Sequence, residues 1–461
     1  GQVYSTSATA QLCEIMLRDS AHIQMFEAEW RNRKAARSGG KLKEFVPLYD
    51  MDAAVNVCKQ FVGCEYDRVY DIAEGIKIRF TDVGHLLGSA SIEVWATEKT
   101  ENGDVTEKIV FSGDIGNINK PIIKDPKHVR DADYVVMEST YGNRSHGGTP
   151  NYVEDLTDIF KRTFERGGNV VIPSFAVGRT QELLYIIRKI KEDNLVGRDF
   201  DVYMDSPLAI EATNIFIKNV ESCFDDEAVE LVRKGINPLS FPGLKYATTG
   251  DESKQINFDP NPKVIISSSG MCEAGRIRHH LKHNLWRPEC TIVFVGYQAV
   301  GTTGRIIVDG AEEIKLFGEP IQIKAEIVQL KGSSGHADKD GLLCWINAFD
   351  TKPKKVFVVH GEDSVCDEFT ECLKEEYGYD AMAPYTGGSY DLIADRVISE
   401  GVKERKTRRT TSTQRGKTVF DRLVAAGKRL MTVITHNEGG TNKDLAKFTD
   451  QINALCDKWD R

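Results

Sequence analysis

The order in which strand and helix patterns follow one another constrains this chain most. Short β-branched runs at Arg68–Ile72, Ile76–Val83, Ser91–Thr97, Lys108–Phe111 and Tyr134–Met137 come first. Short polar links join several of them, as between antiparallel neighbours. From Asn169 the pattern changes. Strands predicted at Asn169–Pro173, Asp201–Met204, Lys263–Ser267 and Thr291–Gly296 are interspersed with helices predicted at about Thr180–Glu192, from about Leu208, and near Glu273–Leu285. Strand–helix alternation implies a parallel, doubly wound sheet. Strands then return at Ile314–Phe317, Ile321–Leu330 and Val356–Val359, with helices near Lys339–Phe349 and Ser364–Glu376. The α/β fold expected is a strand-rich αβ sandwich interrupted by a parallel α/β insert.

At 461 residues the chain has room for about three domains. It has no apolar run of 18 or more residues, so a membrane-spanning helix is not expected. The 60 Lys and Arg against 69 Asp and Glu leave a net charge of −9. That balance speaks against a chain that coats nucleic acid along its whole length, though not against a local basic cleft. Residues 396–461 carry 15 Lys and Arg against 8 Asp and Glu, so a basic tail follows an acidic body. The basic run Lys403–Lys417 reads as a solvated linker, and Val419–Trp459 has helical apolar spacing. None of the ten cysteines forms a CxxC pair. A reducing, cytoplasmic compartment fits that usage.

Five segments present a polar group in a tight turn beside a strand end. They are GHLLGSA with His85, FSGDIG with Asp114, MESTYG with Glu138, SSGHAD with His336 and VVHGE with His360. Loops at strand ends are where a rigid scaffold presents reactive groups. Neutral imidazoles with a carboxylate suit zinc, and two ions a few Å apart would hold a hydroxide and a phosphate oxygen together. Singly, each His or Asp reads as a turn cap or a satisfied core group.

Together and in this order, the five segments resemble the β-CASP branch of the metallo-β-lactamase fold. More narrowly, the chain is similar to the bacterial and archaeal RNA-processing nucleases related to the pre-mRNA 3′-end cleavage endonuclease. His85 matches that family's third metal motif and Asp114 its fourth, whose carboxylate bridges two zinc ions. Glu138 matches motif A, His336 motif B and His360 motif C. The stretches Asp19–Gln24, Ile172–Glu182, Asp205–Ala209, Ser269–Arg276 and Gly296–Thr302 agree with it. The likeness covers about residues 1–395.

The resemblance implies a metallo-β-lactamase αββα sandwich, incomplete at its N-terminus, carrying an inserted parallel β-CASP domain. The expected domains are 1–155 and 326–395 for the sandwich, 156–325 for the insert and 396–461 for a basic linker and helical tail. It implies a zinc-dependent ribonuclease with His85, Asp114 and His360 as metal ligands of a two-ion site. Glu138, His336 and Asp114 would be catalytic, with Glu138 orienting His336. A His in motif C favours RNA over DNA. Ser174, Arg179, Gly270 and Arg276 would line the substrate cleft, through helix-start N–H groups or guanidinium pairs. RNA is the expected partner, a homodimer is allowed for, and no membrane is expected.

Other readings stand beside these. Asp205 reads as a helix-start cap. His279 and His283, spaced i, i+4, read as structural rather than metal-binding. The family's His-x-His-x-Asp-His motif occurs nowhere in the sequence. The expectation is a chain lacking several tens of N-terminal residues, weak or inactive by itself. A non-catalytic scaffold subunit of an RNA-processing assembly is the alternative, and a small-molecule hydrolase such as a thioesterase is a third.

Overall fold

A computed structural model describes residues 1–37, 45–101, 103–147, 151–330, 334–403 and 442–459, with scattered positions from 427 to 437. Contacts divide the chain into two units, Gly1–Glu400 and Gly401–Arg461. In the second, Asn442–Trp459 is a helix. The basic run from 404 to 417 and most of the stretch from 419 to 441 lie outside the described residues.

Two sheets organise the first unit. A seven-stranded mixed sheet runs in the order Ala381–Met382, Lys355–Val359, Tyr134–Glu138, Gly103–Phe111, Ala90–Thr100, Ile76–Asp82, Val69–Ala73. The strands from Val69 to Phe111 pair antiparallel, through hairpins, as their short polar links require. Tyr134–Glu138 then joins Gly103–Phe111 and Lys355–Val359 in parallel.

The second sheet has six strands, all parallel, in the order Leu244–Tyr246, Asp201–Asp205, Lys263–Ser267, Val170–Pro173, Thr291–Phe294, Glu326–Gln329. Every residue of Val170–Pro173, Lys263–Ser267 and Thr291–Phe294 is buried. Burial on both faces is why these strands read as continuous apolar runs rather than alternating ones. Helices Tyr152–Glu165 and Arg179–Glu192 cover this sheet with Leu156, Phe160, Leu184 and Ile187.

One strand expectation shifts. Ile321–Leu330 is not one strand. Glu313–Leu316 and Glu319–Gln322 form a hairpin across Phe317 and Gly318, whose φ angles of +52° and +88° suit a two-residue turn. A separate strand follows at Glu326–Gln329. That strand belongs to the six-stranded sheet, so the chain leaves this sheet past 325. The periodicity also gave no warning of helix Ser7–Arg37, because only Ala8, Leu12, Ala21 and Ala28 of its 31 residues are buried.

The tips of the seven-stranded sheet meet by direct backbone contact. Gly116 N–H donates to Val83 O at 2.8 Å, and Ala337 N–H donates to Ile115 O at 2.8 Å. Gly116 and His336 form an isolated antiparallel bridge. A Cβ at Gly116 would lie 2.0 Å from the Gly84 carbonyl oxygen, so no side chain fits there. Gly116→Ala is therefore expected to cost about 1–3 kcal/mol of stability in urea denaturation. It should also disturb the site's geometry, because it pries the His85 turn from the Asp114 turn.

Candidate metal and active site

Each polar group of the cluster is positioned by its own strand end. His85 follows Ile76–Asp82 after Gly84, whose φ is +64°. Ser89 Oγ accepts the His85 and Leu86 N–H groups at 3.0 and 3.2 Å, which closes the turn. Asp114 follows Gly103–Phe111, and Glu138 ends Tyr134–Glu138. His360 follows Lys355–Val359 in the left-handed region, φ +51°, a conformation a histidine holds only where neighbours impose it. Ser139 N–H donates to its carbonyl at 3.3 Å.

The imidazoles converge on Asp114. His85 Nε2 lies 3.9 Å from Asp114 Oδ2, and His360 Nε2 lies 3.3 Å from Asp114 Oδ1. Donors about 2.0–2.2 Å from one tetrahedral zinc ion sit about 3.3–3.6 Å apart, so the His360–Asp114 spacing fits ligation of one ion and the His85–Asp114 spacing is slightly wider. His85, Asp114 and His336 also offer donor atoms within 4.8 Å of one another. His85 Nδ1 is buried and has no hydrogen-bond partner among the described residues. Burial, with His336 and Lys120 nearby, pushes the His85 pKa down to about 4. A neutral imidazole is the form that binds a metal.

Behind this group lies a carboxylate–imidazole pair. His336 Nδ1 is 3.1 Å from Glu138 Oε2 and 3.2 Å from Oε1. Glu138 is 1% exposed, and Thr140 Oγ1 and Ile115 N–H donate to it at 2.6 and 2.5 Å. Burial alone would raise the Glu138 pKa, but the His336 hydrogen bond and charge, with the Thr140 and Ile115 donors, hold it below the usual value. Burial would lower the His336 pKa, but Glu138, with a further pull from Asp114, raises it above the usual histidine range. His336 also packs against His85, ring centroids 4.4 Å apart, and its carbonyl lies 3.1 Å from His146 Nε2.

His85 and His336 open into a cleft of about 1560 Å³. Helix Ser7–Arg37 lines one wall with Asp19, His22 and Phe26, and the six-stranded sheet's loops line the other with Phe175, Arg179, Arg276 and Tyr297.

A family model described as the Beta-Casp domain matches residues 180–307, and one described as a Zn-dependent metallo-hydrolase RNA specificity domain matches 320–384. A ribonuclease of Thermus thermophilus is 32% identical over 79% of this chain and 76% of its own length. The chain belongs to the β-CASP family of RNA nucleases. Other β-CASP relatives include a transcription termination factor, FttA, of Methanosarcina mazei, 31% identical over 83% of this chain, and an RNase J-like protein of Methanocaldococcus jannaschii, 35% identical over 63%. The chain spans 58% of the length of that termination factor and 65% of the RNase J-like protein. The zinc-type metal chemistry of the family agrees with the imidazole and carboxylate donors gathered here. Among the described residues, no helix is long and apolar enough to cross a membrane.

The expected cleft residues of the β-CASP part divide. Arg179 and Arg276 line the cleft, but their guanidinium groups are engaged. Arg179 pairs with Glu182 at 2.7 Å. Arg276 donates to Asp205 Oδ1, Ala247 O and Thr248 O at 2.7, 3.0 and 2.7 Å. Ser174 is 1% exposed and bonded to Thr180 and Phe175, so it braces the wall from behind. Gly270 gives Phe175 a seat, since a Cβ there would stand 3.1 Å from Phe175 N.

Asp205 is not the helix cap. Ser206 caps Pro207–Lys218, while Asp205, fully buried, holds Arg276, His280 at 2.6 Å and Ser253 at 2.5 Å. His279 stacks on Phe317 and His283 packs edge-on to Phe258, each ring on a different neighbour. Sequence reasoning missed Lys120, whose ammonium donates to His85 O at 2.9 Å and pairs with Glu182 at 3.2 Å. It missed His146 too, although that residue follows MESTYG closely.

The Glu138–His336 pair sets a pH dependence. A histidine pKa raised on folding contributes stability that is fully present below about 6.5 and is lost as pH rises through the folded value. Glu138→Gln removes the charge that raises it. An NMR titration of the metal-free protein should show the His336 pKa falling in Glu138→Gln, with a flatter stability profile above about pH 6.5.

Proposed function

We propose that the protein is a zinc-dependent ribonuclease that hydrolyses RNA phosphodiester bonds, as an endonuclease, a 5′ exonuclease or both. The observation that carries this reading is Asp114 standing between two imidazoles, Oδ2 at 3.9 Å from His85 Nε2 and Oδ1 at 3.3 Å from His360 Nε2, backed by the Glu138–His336 pair. The names of the ribonuclease and termination-factor relatives support RNA as the substrate.

In this reading His85, Asp114 and His360 hold zinc. Asp114 offers one oxygen toward each imidazole, which suits a carboxylate shared between two ions. Bound zinc would supply a Lewis acid for the phosphoryl group and would acidify water for in-line attack. His336, whose cationic form Glu138 favours, would offset the growing charge on the phosphate. Its Nε2 proton would pass to the leaving oxygen as the P–O bond breaks. Lys120 adds a second fixed positive charge beside the same site. Residues 1–155 and the stretch to 395 that follows strand Glu326–Gln329 would form the metal-binding body, and 156–325 with that strand the insert that walls the cleft. The same reading assigns the enzyme to the cytoplasm and allows a homodimer.

One observation favours a second reading, a non-catalytic scaffold subunit: the sequence carries no His-x-His-x-Asp-His string. The complete set of His85, Asp114, Glu138, His336 and His360 speaks for the enzyme, because a scaffold has no chemical need of all five.

Metal content and cleavage of labelled single-stranded RNA test the assignment. His360→Ala is expected to lower zinc affinity or activity by about 100-fold or more. Equal activity would remove His360 from the site. With only these three ligands, the 461-residue chain is expected to hold zinc weakly and cleave poorly. Robust, chelator-sensitive cleavage by it would mean the ligands are misassigned.

A further inference from the structure

Helix Ser7–Arg37 walls the cleft and then runs past it. Met16, Asp19, His22, Ile23 and Phe26 share the cavity with His85 and His336. Their spacing of mostly three and four residues puts them on one helix face. The same face continues to Trp30, four residues beyond Phe26, and to Lys34, four beyond that. Phe26 and Trp30 are 58% and 53% exposed.

Cations attend these rings. The Lys34 ammonium lies 5.0 Å from the Trp30 ring centroid, and the Arg31 guanidinium 4.3 Å from that of Phe45. Phe45 is fixed to the helix by two hydrogen bonds. Its N–H donates to Asn32 Oδ1 and its carbonyl accepts from Asn32 Nδ2, each at 2.9 Å. The charge of the helix also changes along its length. Glu14, Asp19, Glu27 and Glu29 outnumber Arg18 in its earlier part, whereas Arg31, Arg33, Lys34 and Arg37 have no carboxylate among them. The pairs Arg31–Glu27 and Arg33–Glu29, at 3.4 and 3.9 Å, are exposed and weak enough for an anion to displace.

Ring faces interleaved with cations suit a single nucleic-acid strand, with bases on the rings and phosphates on the cations. A protein partner needs no such row of positive charge. We propose that Phe26, Trp30, Arg31, Lys34 and Phe45 form a track that carries single-stranded RNA beyond the cleft, with bases stacked on Trp30 and Phe45. The proposal rests on the RNA reading of the cleft and extends it to a surface outside the catalytic cluster.

Fluorescence anisotropy with labelled oligouridylates of about 6 and about 16 nucleotides tests it, on the whole chain. Trp30→Ala is expected to weaken binding of the long RNA by about fivefold or more, with Trp30→Phe restoring most of it. Affinity for the short RNA should change by less than about twofold. Lys34→Ala should lower the salt slope for the long RNA by about 0.7, one phosphate contact. Trp30 fluorescence, taken as the difference between the parent and Trp30→Phe, should be quenched by the long RNA. If the parent binds the long RNA and Trp30→Ala binds it equally well, the track is overturned and the patch belongs to a protein partner. If the parent binds neither RNA, the RNA reading of the cleft fails and the track with it.

Discussion

The arrangement of the imidazole and carboxylate cluster depends on one buried carboxylate. Glu138 sits at the end of a central strand with almost no exposure, and a charge taken out of water is costly unless hydrogen bonds surround it. The chain supplies those bonds from separate places. Ile115 N–H comes from the Asp114 turn, His336 Nδ1 from a turn almost two hundred residues later, and the Thr140 hydroxyl from its own loop. Satisfying Glu138 therefore fixes where the Asp114 and His336 turns lie. The neighbouring Ser139 N–H reaches the His360 carbonyl and brings in the fourth turn. Close contact of Gly84 with Gly116 brings in His85. Side chains from distant parts of the sequence thus meet because backbone groups beside them must satisfy or clear one another.

A second buried carboxylate ties the two sheets at this spot. Glu182, in the first turn of helix Arg179–Glu192, pairs with Arg179 from its own helix and with Lys120 from the loop after Asp114. Burial alone would raise its pKa, but the two cations hold it below the usual value. Lys120 in turn grips the His85 carbonyl. Movement of the six-stranded sheet relative to the body would pull on the His85 turn through this chain of contacts. Along the same cleft wall, Asp205 does comparable work by holding Arg276 and His280. Arg276 therefore spends its hydrogen bonds on the wall of the cleft and not on a ligand.

Much of this was legible in the sequence where short-range pattern and geometry coincide. His85, Asp114, Glu138, His336 and His360 each sit beside glycine or a small residue at a strand end, and a turn signal next to an apolar run is a local property. The parallel sheet was legible because its central strands are buried on both faces. Helix Ser7–Arg37 was not, because charged residues interrupt its row of Met16, Ile23, Phe26 and Trp30 and few of its side chains are buried. Asp205 was misread because a cap and a buried hub look alike beside Ser206-Pro207. Only the distant His280, Arg276 and Ser253 separate the two, and periodicity carries no such long-range information. The hairpin at Phe317 was hidden for a similar reason, since a phenylalanine with positive φ breaks the usual turn code.

The central claim is that imidazole and carboxylate groups from separate strand tips share a metal. Zinc X-ray absorption on the metal-loaded protein measures this directly, because the chain also holds ten free thiols that could compete. The account expects only nitrogen and oxygen neighbours at about 2.0–2.2 Å with the outer-shell scattering of imidazole, diminished in His85→Ala. Sulfur neighbours at about 2.3 Å, or a spectrum unchanged by that substitution, would contradict it.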